Sequence, residues 1–370
     1  MPAPTARPRT TTAERGCLLI ADISGYTTYL LGTELDHAHE ILGDLIDTVL
    51  RRLQPVLRLS KLEGDAAFCY ALEDDIEPSM LLDTIEQTYF AFRARLRDVQ
   101  QATSCGCRAC LLMPNLDLKF VVHHGIFARR TAGGQEELTG GDVVVVHRLL
   151  KNSVADSLDT HAYALFSEEC VSALGIEPSV LGMHEHREMY DDVGQLTLYV
   201  EDLEARWRHE QERRRVYVVP GRATFEVEKV VPSPPPVVWE YVTSPQKRPL
   251  WQGVDRIDVV GRSGGRRGAG SVHHCVHGSD KILEEILDWR PFRYCTMRYR
   301  TPGVGPWVWT VELEPLEEGT RVRLRGDQLH GKQRLAWSLV RANMLDQLRA
   351  QQDRLAAVLA EHEPSAGDDA

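Results

Sequence analysis

The sequence contains no hydrophobic run approaching the roughly 20 apolar residues that a helix needs to cross a bilayer. Its first 15 residues, MPAPTARPRTTTAER, are polar, and no apolar segment of the kind found in secretory signals follows the arginines. We therefore expect residues 1–15 to form a disordered tail and the protein to be cytoplasmic. In that compartment its eight cysteines are expected to be thiols or metal ligands, not disulfides.

An excess of positive charge is also missing. The chain has 43 Lys and Arg against 54 Asp and Glu, which gives a net charge of −11. General nucleic-acid binding needs a basic face, so this class of partner is not expected. The composition, 43% hydrophobic and 26% charged, is typical of soluble globular proteins. A length of 370 residues allows two or three domains, each with its own core.

Hydrophobic periodicity predicts alternating strands and helices in the first 200 residues. The apolar run 17–22 predicts a buried strand, and the apolar residues that follow recur three and four positions apart until Pro55 stops the helix. The predicted elements are a strand at 17–22, a helix at 38–53, strands at 56–60 and 66–72, a helix at 80–99, and strands at 116–122 and 142–146. This order is that of the split βαβ arrangement of ferredoxin-like sheets.

A change of pattern after residue 200 predicts a second domain. Residues 201–222 are charged and helix-compatible until Pro220-Gly221 breaks them, so we interpret them as a linker. Short strands with turn residues follow, and helical spacing of apolar residues returns from 332 to 362. The predicted domains are 16–200 and 223–362, with residues 363–370 as a second disordered tail.

Two motifs of the first domain carry a family resemblance. The segments ADISGYT at 21–27 and KLEGDAAF at 61–68 resemble the metal-binding signatures of class III adenylate and guanylate cyclases. The resemblance implies a ferredoxin-like cyclase fold in which Asp22 and Asp65 bind two Mg²⁺ or Mn²⁺ ions, cations that prefer oxygen ligands. It also implies that backbone N–H groups of Ile23, Ser24 and Gly25 bind phosphate oxygens. The alternative is that both aspartates only stabilise turns.

Three further residues match cyclase positions that bind the nucleotide. Lys61 precedes Asp65 where adenylate cyclases carry the lysine that reads adenine. Aligning ELTGGDVVVVHRLL at 137–150 with the later family motif places Glu137 at the acidic base-reading position. The same alignment places Arg148 on the arginine that stabilises charge on the transferring phosphate. The alternatives are an exposed strand lysine and an arginine at the start of a helix.

Two positions depart from the pattern of active cyclases. Val144 replaces an asparagine that orients the ribose, and Val193, in YDDVGQLTLYV at 190–200, replaces a phosphate-binding lysine. Losing one such transition-state contact costs on the order of a hundredfold or more in rate. Class III sites lie between two such domains, so a chain with one implies a homodimer with Asp22 and Asp65 from one copy and Arg148 from the other.

The segment Cys105-Gly-Cys107-Arg-Ala-Cys110 brings three thiols into a single loop. Tetrahedral zinc takes four thiolate or imidazole ligands, so this loop is a candidate for three of them. His123, His124, Cys17 or Cys69 are candidates for the fourth. The alternatives are a redox-responsive pair or reduced cysteines with no special role.

The second domain resembles another superfamily. The segment TFEVEKVVPSPPPVVWEYVTSPQKRPLWQGV at 224–254 is similar to the opening of SRPBCC (START-like, polyketide-cyclase-like) domains, with Trp239 and Trp251 at the expected places. The resemblance implies a helix-grip fold around an apolar cavity for a hydrophobic small molecule. Trp289, Trp307 and Trp309 are candidates for its lining, or they fill a closed core. No nucleophile and base come together here, which favours binding over catalysis.

The predicted fold class is therefore α+β, with a ferredoxin-like cyclase-type domain followed by a helix-grip domain. The first functional interpretation is metal-dependent conversion of ATP to cyclic AMP and pyrophosphate at a homodimer interface, with a ligand-binding second domain. The second is a catalytically silent cyclase-like scaffold that senses a nucleotide or small molecule. The third is an aromatase- or cyclase-type enzyme that acts through the C-terminal domain.

Overall fold

A computed structural model describes residues 13–33, 35–102, 107–132, 135–213, 215–260, 265–278, 280–301 and 305–361. The chain divides into two compact units. Unit 1 comprises Met1–Glu212 and Gly264–Arg266, and unit 2 comprises Arg213–Ser263 and Arg267–Ala370. None of the helices in the described ranges is long and apolar enough to cross a membrane.

Unit 1 combines a twisted mixed sheet with helices. Its strands are β1 (Ala13–Ser24), β2 (Arg58–Glu63), β3 (Ala66–Leu72), β4 (Asp117–Ala132), β5 (Gln135–Thr139), β6 (Tyr163–Ser167), β7 (His184–Tyr190) and β8 (Gly194–Asp202). Its helices are α1 (Tyr26–Gly32), α2 (Leu35–Leu53), α3 (Pro78–Ala102), α4 (Arg108–Leu112), α5 (Gly141–Leu149), α6 (Val154–Leu158), α7 (Glu168–Ala173), α8 (Pro178–Leu181) and α9 (Leu203–Glu212).

The strand order of this sheet is β2-β3-β1-β4-β6-β8-β7, and β5 pairs with β4 outside that path. The central strand β1 is antiparallel to both β3 and β4. Successive side chains of a strand point to opposite faces. Leu19 and Ala21 accordingly pack into one core with α2 and α3, while Leu18 and Ile20 pack into another with α5. Burial on both faces explains why β1 reads as a continuous apolar run.

Three sequence predictions need correction. The predicted strand at 142–146 is part of helix α5, where Val143, Val146 and Leu149 are buried at helical spacing. A run of valines fits a buried strand or a buried helix equally well, so periodicity could not decide. The predicted tail 1–15 is also too long, because β1 begins at Ala13. Strand β4, predicted to end at 122, continues to Ala132 and pairs with β5.

The segment predicted as a linker, 201–222, is largely structured. Its first two residues end β8, and α9 follows with Leu203 fully buried in the core of unit 1. A short 3₁₀ turn covers Pro220–Arg222. The predicted tail 363–370 lies outside the described residues.

Unit 2 is an antiparallel sheet with one long helix. Its strands are β9 (Phe225–Val231), β10 (Arg256–Val260), β11 (Val272–His277), β12 (Asp280–Arg290), β13 (Tyr294–Thr301), β14 (Gly305–Leu316) and β15 (Gly319–Gly326). Its helices are α10 (Pro235–Thr243), α11 (Pro249–Gln252) and α12 (Lys332–Glu361). The strand order is β10-β11-β12-β13-β14-β15-β9.

Helix α12 packs against β9, the last strand in this order. The side-chain amide of Gln352 donates to the backbone oxygen of Val227 at 3.2 Å, and Leu348 and Leu355 are buried. A long C-terminal helix held by a curved antiparallel sheet is the helix-grip arrangement. The predicted fold class, α+β with two different architectures in one chain, is confirmed.

Candidate active site

Strand pairing brings Asp22 and Asp65 together. Asp22 lies opposite Ala66 in the β1–β3 ladder, and Asp65 immediately precedes Ala66 in the β2–β3 turn. Gly64, in the same turn, has a φ of 69°, a conformation that favours glycine. Burial and the nearby charge of Asp22 raise the pKa of Asp65 to about 6. Two adjacent carboxylates of this kind form an arrangement that a cation would stabilise.

A lysine that sequence analysis missed completes this cluster. Lys119 lies opposite Asp22 in the β1–β4 ladder, and its Nζ is 3.1 Å from Oδ2 of Asp22. Both side chains are only about one-fifth exposed, so solvent screens this ion pair incompletely. The one signal in the sequence was a charged residue within the otherwise apolar run Leu118–Val122, and its partner depended on the strand register.

Of the three residues expected to bind phosphate through backbone N–H groups, Ile23 and Ser24 belong to a strand and Gly25 to the turn after it. Ile23 and Ser24 are the last residues of β1 and pair with β4, so α1 begins only at Tyr26. Gly25 has a φ of 84°, and a Cβ there would lie 3.1 Å from the backbone oxygen of Asn115. Glycine therefore allows both the turn and the close approach of the two backbones.

Lys61 is held by a residue that sequence analysis did not consider. Its Nζ lies 2.8 Å from Oε1 of Glu63, and Nε2 of His147 lies 3.1 Å from the other oxygen of Glu63. Burial raises the pKa of Glu63, but the hydrogen bonds from Lys61 and His147 outweigh burial, and the net pKa is lowered. The proposed base-reading lysine therefore already has a carboxylate partner in this structure.

Glu137 and Arg148 lie on different elements. Glu137, on β5, accepts a 2.7 Å hydrogen bond from Arg130 of β4. Arg148, near the end of α5, forms an ion pair with Asp192 in the turn between β7 and β8. Val193, where the resemblance expects a phosphate-binding lysine, follows Asp192 in the same turn.

Val144 lies one helical turn before Arg148 on α5 and is 51% exposed. Residues four apart share a helix face, so positions 144 and 148 face the same side. His147, which contacts Glu63, lies between them in sequence. The exposed side of α5 thus carries the candidate ribose and phosphate positions.

The predicted thiol cluster is only partly within the described residues, because Cys105 lies outside them. Cys107 directly precedes α4, Cys110 lies on it, and the imidazole next to both is His37 of α2. The four residues suggested as a fourth ligand lie elsewhere. Cys17 and Cys69 are buried in β1 and β3, His123 hydrogen-bonds Ser167 at 2.8 Å, and His124 lies 3.6 Å from Glu73.

Unit 2 contains a small pocket with a cavity volume of about 30 Å³. Trp309 lines it together with Met297 and Leu348. The other two tryptophans proposed for a lining pack elsewhere. Trp289 forms an edge contact with Trp239 at 4.8 Å, and Trp307 contacts Phe225 at 5.4 Å.

A buried charged network borders this pocket. Arg248, which lines the pocket and is 2% exposed, donates two hydrogen bonds of 2.7 and 2.6 Å to the carboxylate of Glu284. His273 Nδ1 lies 2.9 Å from the same carboxylate. Burial raises the pKa of Glu284, but the Arg248 charge and these hydrogen bonds outweigh it and hold the pKa well below its usual range. The sequence carries no local signal for this network, because its members lie on separate segments of unit 2.

Two protein families match parts of the chain. Residues 42–158 match a family described as "Protein of unknown function (DUF2652)". Residues 222–360 match the family described as "Polyketide cyclase / dehydrase and lipid transport". An uncharacterized protein of Mycobacterium tuberculosis, Rv2561/Rv2562, is 39% identical over 113 residues, which are 30% of this chain and 52% of the relative. The chain thus spans about half the length of that curated relative.

Solved structures also resemble the chain in fold. The adenylyl cyclase CyaB from P. aeruginosa is 13% identical, with a TM-score of 0.40 over 52% of this chain and 97% of that one. The guanylyl cyclase Cya2 is 15% identical, with a TM-score of 0.39 over 51% and 92%. DynU16, from the dynemicin biosynthetic locus, is 24% identical, with a TM-score of 0.30 over 39% and 49%. By the family match, residues 222–360 are thus similar to the family described as "Polyketide cyclase / dehydrase and lipid transport".

Proposed function

We propose that unit 1 is a divergent nucleotidyl cyclase that converts ATP to cyclic AMP and pyrophosphate with divalent metal, at a site shared by two copies of the chain. The observation that carries the proposal is the pairing of β1 with β3, which brings the carboxylates of Asp22 and Asp65 together. The class III cyclase resemblance assigns both residues to metal binding, and the helices α1 and α2 lie between them in the chain.

The donor set at this site fits a hard divalent cation. Asp22 and Asp65 offer carboxylate oxygens, the ligands that Mg²⁺ and Mn²⁺ prefer. When bound, such ions lower the pKa of the ribose 3′-hydroxyl and neutralise the triphosphate. Lys119, whose ammonium lies 3.1 Å from Asp22, would share the neutralisation of the carboxylates and nucleotide.

The remaining roles follow the matched positions. Lys61 and Glu137 would hydrogen-bond the base, and Arg148 would stabilise negative charge on the phosphate as pyrophosphate leaves. A nucleotide bound by Asp22 and Asp65 of one copy would meet Arg148 of the other, which requires the homodimer. Arg148 is open to a second copy, because its side chain is 41% exposed and that of its partner Asp192 is 55% exposed.

The test is to incubate the purified full-length protein with Mn²⁺ and ATP and to measure cyclic AMP. Asp65→Asn should abolish product because it removes a metal ligand while keeping the side-chain size. Asp98→Asn, at an exposed position on α3, is the matched control and should retain wild-type activity. Equal product from wild type and Asp65→Asn would refute the proposal.

A silent nucleotide-binding scaffold is the second candidate, favoured by Val144, by Val193 and by the ion pair that occupies Lys61. Such a scaffold would bind nucleotide without turnover. Wild-type protein that is stabilised against heat by ATP with Mn²⁺, yet forms no cyclic AMP, would establish this alternative. Loss of that stabilisation in Asp65→Asn would localise the binding to the aspartate site.

For unit 2 we propose binding of a hydrophobic small molecule in the pocket lined by Trp309 and Met297. The family match over 222–360 supports this class of ligand. Trp309→Ala should weaken the binding of an apolar fluorescent probe such as anilinonaphthalene sulfonate. Trp207→Ala, in unit 1, is the control. Unchanged probe binding in folded Trp309→Ala would contradict the proposal.

A further inference from the structure

We propose that His37, Cys107 and Cys110 bind a structural Zn²⁺ ion. This site is separate from Asp22 and Asp65, and its first ligand comes from a part of the sequence remote from the cysteines. His37 lies in the first turn of α2, whereas Cys107 and Cys110 flank the start of α4. The ion would join these two parts of unit 1.

The ligand atoms have the spacing of a tetrahedral zinc centre. Nδ1 of His37 lies 3.2 Å from Sγ of Cys107 and 3.9 Å from Sγ of Cys110. The three atoms all lie within 4.8 Å of one another. With Zn–S bonds of about 2.3 Å and Zn–N bonds of about 2.0 Å, a nitrogen and a sulfur ligand of a tetrahedron are about 3.5 Å apart. The two observed N···S distances lie on either side of that value.

The surroundings also suit thiolate ligands. The backbone N–H of Cys110 donates to Sγ of Cys107 at 3.5 Å, and a hydrogen bond to sulfur favours its charged form. Cys110 is 7% exposed, so water has little access to one side of the site. A hydrogen bond of this kind orients a metal ligand and tunes its basicity.

The donor types identify the metal class. Two thiolates and an imidazole select zinc or a similar soft or borderline ion over Mg²⁺ and Mn²⁺. The site is therefore chemically distinct from the carboxylate pair of Asp22 and Asp65. Cys105 precedes Cys107 in the C-x-C-x-x-C spacing but lies outside the described residues, and its role as a further ligand stays a sequence prediction.

The zinc site would support the turn after Asp22. Helix α4 leads into a 3₁₀ turn at Met113–Asn115, and the backbone oxygen of Asn115 approaches Gly25 so closely that a Cβ there would lie 3.1 Å away. The end of α1 is also near α4, since a Cβ at Gly32 would lie 3.4 Å from the Leu112 side chain. Fixing α4 to α2 would therefore fix the backbone beside Gly25.

The experiment measures zinc in untagged full-length protein that has been purified under reducing conditions without chelator. We expect one Zn²⁺ per chain, and Co²⁺ substituted for it should give the absorption bands of thiolate-bound tetrahedral cobalt. Loss of a residue that only hydrogen-bonds a metal ligand lowers metal affinity roughly 10- to 100-fold. His37→Ala removes a ligand itself and should lower zinc affinity by more than that. His39→Ala, at an exposed position of the same helix, should bind zinc as the wild type does.

Two results would overturn the proposal. One is wild-type protein that neither contains zinc nor binds it when it is added. The other is His37→Ala that is folded by circular dichroism and binds zinc as tightly as His39→Ala. Neither readout depends on cyclase activity, so failure of the proposed nucleotide chemistry and failure of the zinc site remain distinguishable.

Discussion

Restoring an asparagine at position 144 should increase cyclic AMP formation. Val144 lies on α5 one turn before Arg148 and is 51% exposed, so an asparagine amide there would be free to contact a bound nucleotide. Exposed substitutions of this kind usually change the free energy of unfolding by no more than about 0.5 kcal/mol. The fold should therefore tolerate Val144→Asn, and any change in rate would report on the site.

The expected magnitude follows from what one transition-state hydrogen bond contributes. Removal of such a donor from an enzyme costs about 2.7–4 kcal/mol, or roughly 10²- to 10³-fold in kcat. Val144→Asn adds one hydrogen-bond donor, but position 193 is still a valine and not a lysine. The side chains around position 144 are also not adapted to an asparagine. We therefore expect an increase near the lower end, about a hundredfold.

The assay is the rate of cyclic AMP formation from ATP with Mn²⁺, measured by chromatography at saturating nucleotide. Val180→Asn is the matched control, because Val180 is 46% exposed and lies on α8. Adding Asp65→Asn to Val144→Asn should remove the gain. A folded Val144→Asn protein no faster than Val180→Asn would refute the assignment of α5 to the ribose and phosphate.

Two further predictions concern charged clusters. Lys119→Met removes the ammonium next to Asp22 and should lower the free energy of unfolding without metal by about 1.5–3 kcal/mol, the range for a hydrogen bond to a charged group. Mn²⁺ should then raise its melting temperature more than that of the wild type, and an equal or smaller rise would contradict the arrangement. Arg248→Met leaves Glu284 buried without its main cation and should cost about 3–5 kcal/mol by urea unfolding. Without Arg248, burial would raise the pKa of Glu284, so the loss of stability should shrink as pH falls through the raised pKa. The double variant Arg248→Met with Glu284→Gln should recover part of the lost stability. Wild-type stability of Arg248→Met alone would exclude the network.

The sequence predicted the aspartate pair because both motifs are local. Asp22 follows an apolar run and Asp65 stands in a short hairpin turn, and the cyclase resemblance of both segments implied that the two side chains meet. In the structure, the register of β1 against β3 places Asp22 opposite Ala66, the residue after Asp65. Lys119 could not be predicted in the same way, since its partner depends on how β4 aligns with β1.

The error at 142–146 has a different origin. Four consecutive valines have high strand propensity, but the tertiary packing of Val143, Val146 and Leu149 against the sheet decides in favour of a helix. Gly140, with a φ of 148°, provides the reversal between β5 and this helix. Local propensity and tertiary packing conflict here, and packing determines the structure.

His37 was missed because a metal ligand from a distant helix leaves no local pattern. The cysteine spacing predicted a site, and the search for a fourth ligand considered residues of the neighbouring strands. Helix α2 packs on the same face of the sheet as α4, and this tertiary arrangement places an imidazole beside the thiols. The ion pair of Lys61 with Glu63 was also missed, although residues two apart in a strand point to the same face and can meet.

The central position of β1 also has a consequence for the order in which unit 1 assembles during synthesis. The β1–β3 ladder needs only the chain as far as Leu72, whereas the β1–β4 ladder closes a much longer loop and needs residues up to Ala128. Contacts between distant residues form late because loop closure costs entropy. Asp22 and Asp65 can therefore meet before Lys119 arrives. In that interval the two carboxylates lack their internal cation, and a divalent ion from solution would favour the early ladder.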